Sequence, residues 1–438
     1  MKNRKSAWFI ALSFLIGALI PSPSFAQSCD WNVAMGGNPG RNGLSSALGP
    51  FVEAGGSPTL LWSGGESAPY ASHPVIEGDN LIVSRRWPSN SQGEAWIINY
   101  NLYTGAERWK ITLPIITHDN WGKVTGVKDG LVFAHRSGGT TEHEHLFALD
   151  IDTGDIVWMS AETYGEHQSE SIAFADNGDI IIGDDEKIMR INIDDGTTVW
   201  SLPRGGSSSD GNAVAVFGST GYFWDQTAMG MFVSACDLDT GTYLYGSDTL
   251  DGPGFQQQGL MVGPDGVVYA PLVRGNPTDA LYSITDDGVG LTTNWSYPIY
   301  SVVFGSQGVG PDGSIYTYSP DEKVVRLDPA TGQVINTSIV VSAENGWFSG
   351  NMAIGSDGLI YLAVDDWPFK KLYILNANLD VLWGEEIPGL IGVALGNGVL
   401  AVNGNGTEIR AYEGRPCPTV FIDGFESGDL SAWSNALP

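Results

Sequence analysis

Basic residues are scarce in this chain: 21 Lys and Arg stand against 50 Asp and Glu among 438 residues, a formal net charge of −29. A surface of that sign repels phosphate backbones and anionic lipid, which excludes nucleic acid as a partner. Charged residues of both signs make up only 16% of the chain, below what helical domains rich in Lys and Glu carry. Cysteine occurs three times, at Cys29, Cys236 and Cys417, enough for one disulfide. No Gly-x-Ser-x-Gly, His-Glu-x-x-His or phosphate-binding loop is present, so the sequence offers no motif for a nucleophile elbow, a zinc peptidase or nucleotide chemistry. Past residue 26 no apolar run is long enough for a membrane-spanning helix.

What the chain has instead is glycine, 58 residues, and aromatic side chains, with 15 Trp, 16 Tyr and 16 Phe. Short strands joined by tight turns require that mixture. The stretch Leu146 to Trp158, L-F-A-L-D-I-D-T-G-D-I-V-W, reads as two strands around a turn, and worn copies of it recur along the chain. Their turn glycines are Gly105, Gly154, Gly196, Gly241, Gly288 and Gly332, spaced 49, 42, 45, 47 and 44 residues apart, with a seventh copy at Asn378 to Trp383. Each copy is preceded by a second hairpin signal, such as V-I-E-G-D-N-L-I-V-S at 75–84 or A-D-N-G-D-I-I-I-G at 175–183. Two hairpins per period of about forty residues make a four-stranded propeller blade.

Outer-strand positions fall at Trp62, Trp109, Trp158, Trp200, Tyr245, Trp295, Asn336 and Trp383, which counts eight blades. After Trp383 the chain supplies three strands without a fourth, while Thr59 to Trp62 is a strand without a hairpin of its own. The expected fold is therefore all-β, an eight-bladed β-propeller of four-stranded blades with the last blade closed by the N-terminal strand. A bulky aromatic at the end of the outer strand is expected to wedge between neighbouring blades.

Residues 1–26 have a basic start at Lys2, Arg4 and Lys5, an apolar core from Ala7 to Ile20 and a small-x-small end at Ser24-Phe25-Ala26. They are expected to be a cleaved signal peptide, which places the chain in the periplasm or outside the cell. Ala26-Gln27-Ser28 is a poor lipobox before Cys29, so lipid anchoring is not expected. The remaining divisions are a lead-in over 27–56, the propeller over 57–414 and a tail over 415–438 that reads F-I-D-G-F-E-S-G-D-L-S-A-W-S. The tail is either a peptide packed on the propeller or a sorting tag. Cys29 and Cys417 lie just outside the two ends of the repeat array and are expected to pair in an oxidising compartment. Cys236 stands where the repeat has Leu149, the place of a small buried apolar residue.

The repeat A-L-D-x-x-T-G-x-x-x-W at Ala148 to Trp158 is similar to that of the pyrroloquinoline-quinone-like (PQQ-like) propellers. The lead-in, with Trp31 followed by Gly37-Asn38-Pro39-Gly40-Arg41-Asn42-Gly43, resembles the W-x(n)-G-N-P-x-R-x-G segment that often precedes such arrays. The resemblance spans about residues 30 to 414 and implies the eight-bladed fold. It does not imply one activity, because the superfamily holds both quinoprotein dehydrogenases and non-enzymatic scaffolds of the BamB type. The dehydrogenases bind PQQ and calcium and carry an adjacent Cys-Cys pair. This sequence has no such pair and no residue that matches their calcium ligands, so neither cofactor is expected. Against a BamB role stand the weak lipobox, the extra tail and the greater length.

Histidine is unevenly placed. All six lie at or before His167, and His73, His118 and His167 follow Trp62, Trp109 and Trp158 at similar distances, in segments that enter an inner strand. With Trp121, Gln168, Gln257, Gln307 and Trp347 in comparable segments, they form a candidate funnel at one mouth of the central channel that would bind a small polar ligand or a metal by imidazole. Scattered polar residues on a solvated rim are the plainer explanation. Thr140 to His145, T-T-E-H-E-H, suggests metal binding by His143 and His145 but lacks a third ligand, and is expected to be an exposed hairpin tip. The functional expectation is an exported, non-catalytic, monomeric propeller that binds a protein or carbohydrate; the alternative is a funnel-site enzyme, PQQ-dependent or other, acting as an oxidoreductase, lyase or hydrolase.

Overall fold

A computed structural model describes residues 29–53, 55–87, 94–116, 122–136, 143–164, 172–205, 213–250, 259–273, 279–299, 307–341, 348–366 and 369–417. The signal-like segment, most of the C-terminal tail and several connections lie outside these ranges. Among the described residues every regular element is a strand, and the strands assemble into eight sheets arranged as a propeller.

Blade three shows how sequence makes a blade. Its strands are Ile172–Phe174, Ile180–Gly183, Lys187–Ile191 and Thr198–Pro203, paired antiparallel in that order. Ile180, Ile181 and Ile182 are all buried, since the middle of a blade has a neighbouring blade on each face. The outer strand alternates between half-buried and exposed residues because only one of its faces meets the next blade. Asn177-Gly178 turns the inner hairpin and Asp194-Asp195-Gly196 the outer one, where Asn192 and Asp195 accept hydrogen bonds from backbone amides two residues on.

Five blade junctions share one device. The indole Nε1 of Trp62, Trp109, Trp158, Trp200 and Trp295 donates to the carbonyl of Leu102, Ile151, Ile193, Leu238 and Pro329 in the next blade, at 2.7–2.9 Å. Each carbonyl lies three residues before a turn glycine, and the same indole packs flat against that glycine. Glycine is thus required twice at Gly196: its φ is +73°, and a Cβ there would sit 2.6 Å from Trp158 Cε3. Gly196→Ala is expected to destabilise the protein by about 2–3 kcal/mol, combining left-handed backbone strain with a displaced ring, and urea denaturation measures it.

The exceptions follow the same logic. Where Tyr245 replaces the indole, its hydroxyl reaches the Asp286 carboxylate at 2.6 Å and no ring covers Gly288. Blade six carries Asn336 in place of an aromatic, and the facing turn of blade seven has Leu379 at φ +68° in place of glycine. Leu379 is buried with Tyr316 and Tyr373, so its side chain fills a space that the indole occupies elsewhere.

The eighth sheet contains Leu390–Gly396, Val399–Gly404 and Ile409–Glu413, and its fourth strand is Leu60–Gly64, antiparallel to Ile409–Glu413. Trp62 on that strand bonds to blade one, and Trp383 of blade seven packs edge-on against Tyr412 of blade eight. Cys29 and Cys417 are joined by a disulfide with their Cα atoms 6.3 Å apart. Cys236 is a buried free thiol whose pKa burial pushes up to about 12.

Candidate functional site

The antiparallel meander gives the propeller two unlike ends. One end carries the tight turns, where side chains such as Asp150 accept from the backbone amides of Asp152 and Thr153. These bonds hold the Asp150 carboxyl below its usual range and are structural turn chemistry. The lead-in enters the ring at this end and visits the inner strands in blade order. Trp31 exchanges backbone bonds with Ile76 of blade one, and Asn32 and Ala34 bond to Val127 and Thr125 of blade two. Val33 packs beside Ile172 and Phe174 of blade three. Pro39, Gly40, Asn42 and Gly43 then present their carbonyls to the amides of Val216, Val262, Val309 and Ile354 in blades four to seven, at 2.7–2.9 Å. Ser45 Oγ donates to Leu395 of blade eight at 2.8 Å.

That path explains the lead-in's composition. Gly37, at φ +73°, lies against the Trp31 ring, with no room for a Cβ, and Asn38 and Asn42 tie the turn together through a 2.7 Å side-chain bond. Arg41 is also buried, and its side chain runs beside Gly259, which precedes the inner strand Met261–Val262 of blade five. The lead-in therefore binds seven of the eight inner strands by hydrogen bonds and lines the channel at this end.

At the opposite end the blades bury charge. Arg85, Arg86, Lys123, His135, Arg136, Glu144, Asp184, Arg204, Asp225 and Asp279 all stand at or beside strand ends there, and all are buried. Arg85 donates to the carbonyls of Gly404 and Gly406 in blade eight, Arg136 to Leu113 at 2.9 Å and Arg204 to Asp184 at 3.0 Å, each reaching an adjacent blade or strand end. Burial pulls the Arg85 and Arg204 guanidinium pKa values down to about 10, which leaves both charged at neutral pH. Buried guanidinium groups bonded to carbonyls across seams fix the blade positions at this rim.

His73 lies at this end, between two short inner pieces of blade one, Tyr70–Ala71 and Val75–Glu77. It is 6% exposed and packs edgewise against Gly392 of blade eight, where a Cβ would meet its Cδ2 at 2.4 Å. Beside it Asn403 donates to the Ser72 carbonyl at 2.6 Å, and Ser72 and Ser84 share a hydroxyl contact. Gln307 precedes the inner strand of blade six and is 4% exposed. His73 and Gln307 are thus buried at inner strands of blades one and six, three blades apart around the ring. His118, Trp121, His167, Gln168, Gln257 and Trp347 lie outside the described residues.

The T-T-E-H-E-H segment differs from the expectation of an exposed tip. Residues 140–142 lie outside the described ranges, but Glu144 is fully buried as the first residue of Glu144–Asp150, and the His145 Nδ1 sits 2.7 Å from the Ser160 carbonyl. The reason is tertiary: the strand begins where blade three packs over it. His143 meets Asp184 and Asp185 of blade three, a grouping no local motif could announce.

Repeat, lead-in and ring define an eight-bladed propeller of PQQ-like type. The sequence model described as outer membrane protein assembly factor BamB matches residues 52–338, more than half of the chain, and the chain belongs to that family. Among solved structures, BamB from Moraxella catarrhalis is similar, with TM-score 0.52 and 16% identity over 82% of this chain and 98% of that one. Quinohemoprotein alcohol dehydrogenase from Comamonas testosteroni gives TM-score 0.59 and 13% identity over 88% and 81%. The computationally designed Ika8 protein gives TM-score 0.59 and 14% identity over 81% and 99%. These likenesses establish the fold. No curated protein matches the sequence.

Proposed function

We propose that this chain is an exported binding or scaffold propeller that engages a protein, or else a carbohydrate, at the end of the ring opposite the lead-in. The observation that carries this reading is the asymmetry of the ends: one is occupied by the lead-in, and the other sets strand termini over a rim of buried, cross-linked charge. A rigid rim is what a binding surface needs. Membership of a family described as an assembly factor supports a protein ligand, and the disulfide fits an oxidising compartment. Candidate ligand groups are His73, His118, Trp121, His167, Gln168, Gln257, Gln307 and Trp347.

The quinoprotein alternative finds little support in the cysteines. Cys29 is bonded to Cys417, and Cys236 lies buried in the strand Gly230–Asp237, so none can form an adjacent pair. Purified protein supplied with PQQ and calcium is expected to reduce no dye with alcohols or sugars; turnover would refute a non-catalytic role.

The face is tested by placing a photoreactive amino acid at Met229 or at Val289. These side chains are 79% and 82% exposed, at the rim end and the turn end respectively. Crosslinked adducts in cells are expected from position 229 and not from 289. Adducts from 289 alone, or equally from both, would place the binding face elsewhere.

A further inference from the structure

We propose that His143, Asp184 and Asp185 form a binding site for a divalent transition-metal cation, with Zn2+ the best-fitting ion, at the seam between blades two and three. His143 immediately precedes the third strand of blade two, Glu144–Asp150, and the two aspartates form the turn between Ile180–Gly183 and Lys187–Ile191 of blade three. One ligand atom from each of the three lies within 4.8 Å of the others. A tetrahedral ion with bonds of about 2.1 Å holds its ligands about 3.4 Å apart, so binding would draw these groups together by about an ångström.

Two further observations point to a cation. Asp185 Oδ1 is sealed from solvent with no hydrogen-bond donor on it among the described residues. An ionised oxygen in that position is costly unless a proton or a metal ion meets it. The turn also lies in an acidic neighbourhood. Arg204 is the guanidinium near this turn, and it faces three carboxylates, those of Asp225, Asp184 and Asp185. Two of its donor bonds go to the carbonyls of Asp184 and Trp224. Lys187, which follows the turn, is held by Glu162 at 2.8 Å.

The donor set selects the class. One imidazole nitrogen with two carboxylate oxygens suits zinc and its neighbours, whereas calcium takes six to eight oxygen ligands. Asp184 is already oriented for this role, since its Oδ1 accepts from the Glu186 and Lys187 amides at 2.8 and 2.7 Å. Three protein ligands leave a fourth position for water or for a group on a bound partner.

The test is isothermal titration of the full oxidised protein with Zn2+, and separately with Ca2+, in parallel with His143→Ala, Asp185→Asn and His145→Ala. The parent and His145→Ala are expected to bind one equivalent of Zn2+ with the same affinity, because His145 is turned to Ser160. His143→Ala and Asp185→Asn should each lose at least tenfold. Near-UV circular dichroism confirms that the variants fold, and the Co2+ visible spectrum of the parent reads imidazole coordination independently of any variant. Equal Zn2+ binding by all four proteins, a Co2+ spectrum unchanged from that of the aqueous ion, or tighter Ca2+ than Zn2+ binding would overturn the assignment.

Discussion

Trp158→Ala is expected to lower the free energy of unfolding by about 3–5 kcal/mol, measured by equilibrium denaturation in urea. The indole is 8% exposed, packs beside Phe133 with ring centroids 5.9 Å apart, and belongs to a buried cluster that includes Ile172, Phe174, Ile180 and Ile191 of blade three. Truncation removes apolar area from both sides of the blade two to three seam and leaves a cavity that rigid strands cannot close. It also strips the Ile193 carbonyl of the donor it holds at 2.8 Å. Trp158→Phe separates these contributions: most of the ring remains while the donor is lost, and the cost should fall to about 1–2 kcal/mol. Equal losses in the two variants would mean that the hydrogen bond, and not the packing, carries the seam.

The same residue shows why the fold was legible. Propeller blades repeat, so each local signal is written several times. A worn copy such as Asn378 to Trp383 could therefore be recognised by its place in the period. Asp-Gly and Asn-Gly turns gave hairpins, and the outer-strand positions, aromatic at all junctions but the one after Asn336, gave the blade count. The path of the lead-in was not legible. Pro39, Gly40, Asn42 and Gly43 use backbone carbonyls to reach four inner strands, and backbone groups leave no mark in side-chain pattern.

The candidate site was harder for a related reason. Histidine spacing relative to the outer-strand tryptophans placed His73 near an inner strand, but spacing cannot say which way a ring turns. Gly392, more than 300 residues later, receives it. His143 likewise lacked a third ligand in its own segment because its neighbours come from the following blade. Residues joined across a seam have no fixed separation in sequence, and this is where the repeat stops being informative.

The second large effect concerns the ends of the array. Replacing both Cys29 and Cys417 by serine is expected to destabilise the protein by about 3–5 kcal/mol, read from the urea midpoint. The bond spans 388 residues, a loop long enough for its closure to restrict the unfolded chain strongly. In the folded state it fastens the start of the lead-in, where the Cys29 carbonyl accepts from the Asn397 amide of blade eight at 2.9 Å. Those hydrogen bonds survive the substitution, so the variant should keep its native circular dichroism and lose mainly resistance to urea. Reduction of the parent by dithiothreitol should shift the midpoint by the same amount, since it cuts the same link. Cys236 should not confuse the comparison: it is buried, with its pKa pushed up to about 12, and the native protein should leave it unalkylated by iodoacetamide at neutral pH. An unchanged midpoint in the double-serine variant would show that the lead-in's hydrogen bonds alone hold the two ends together.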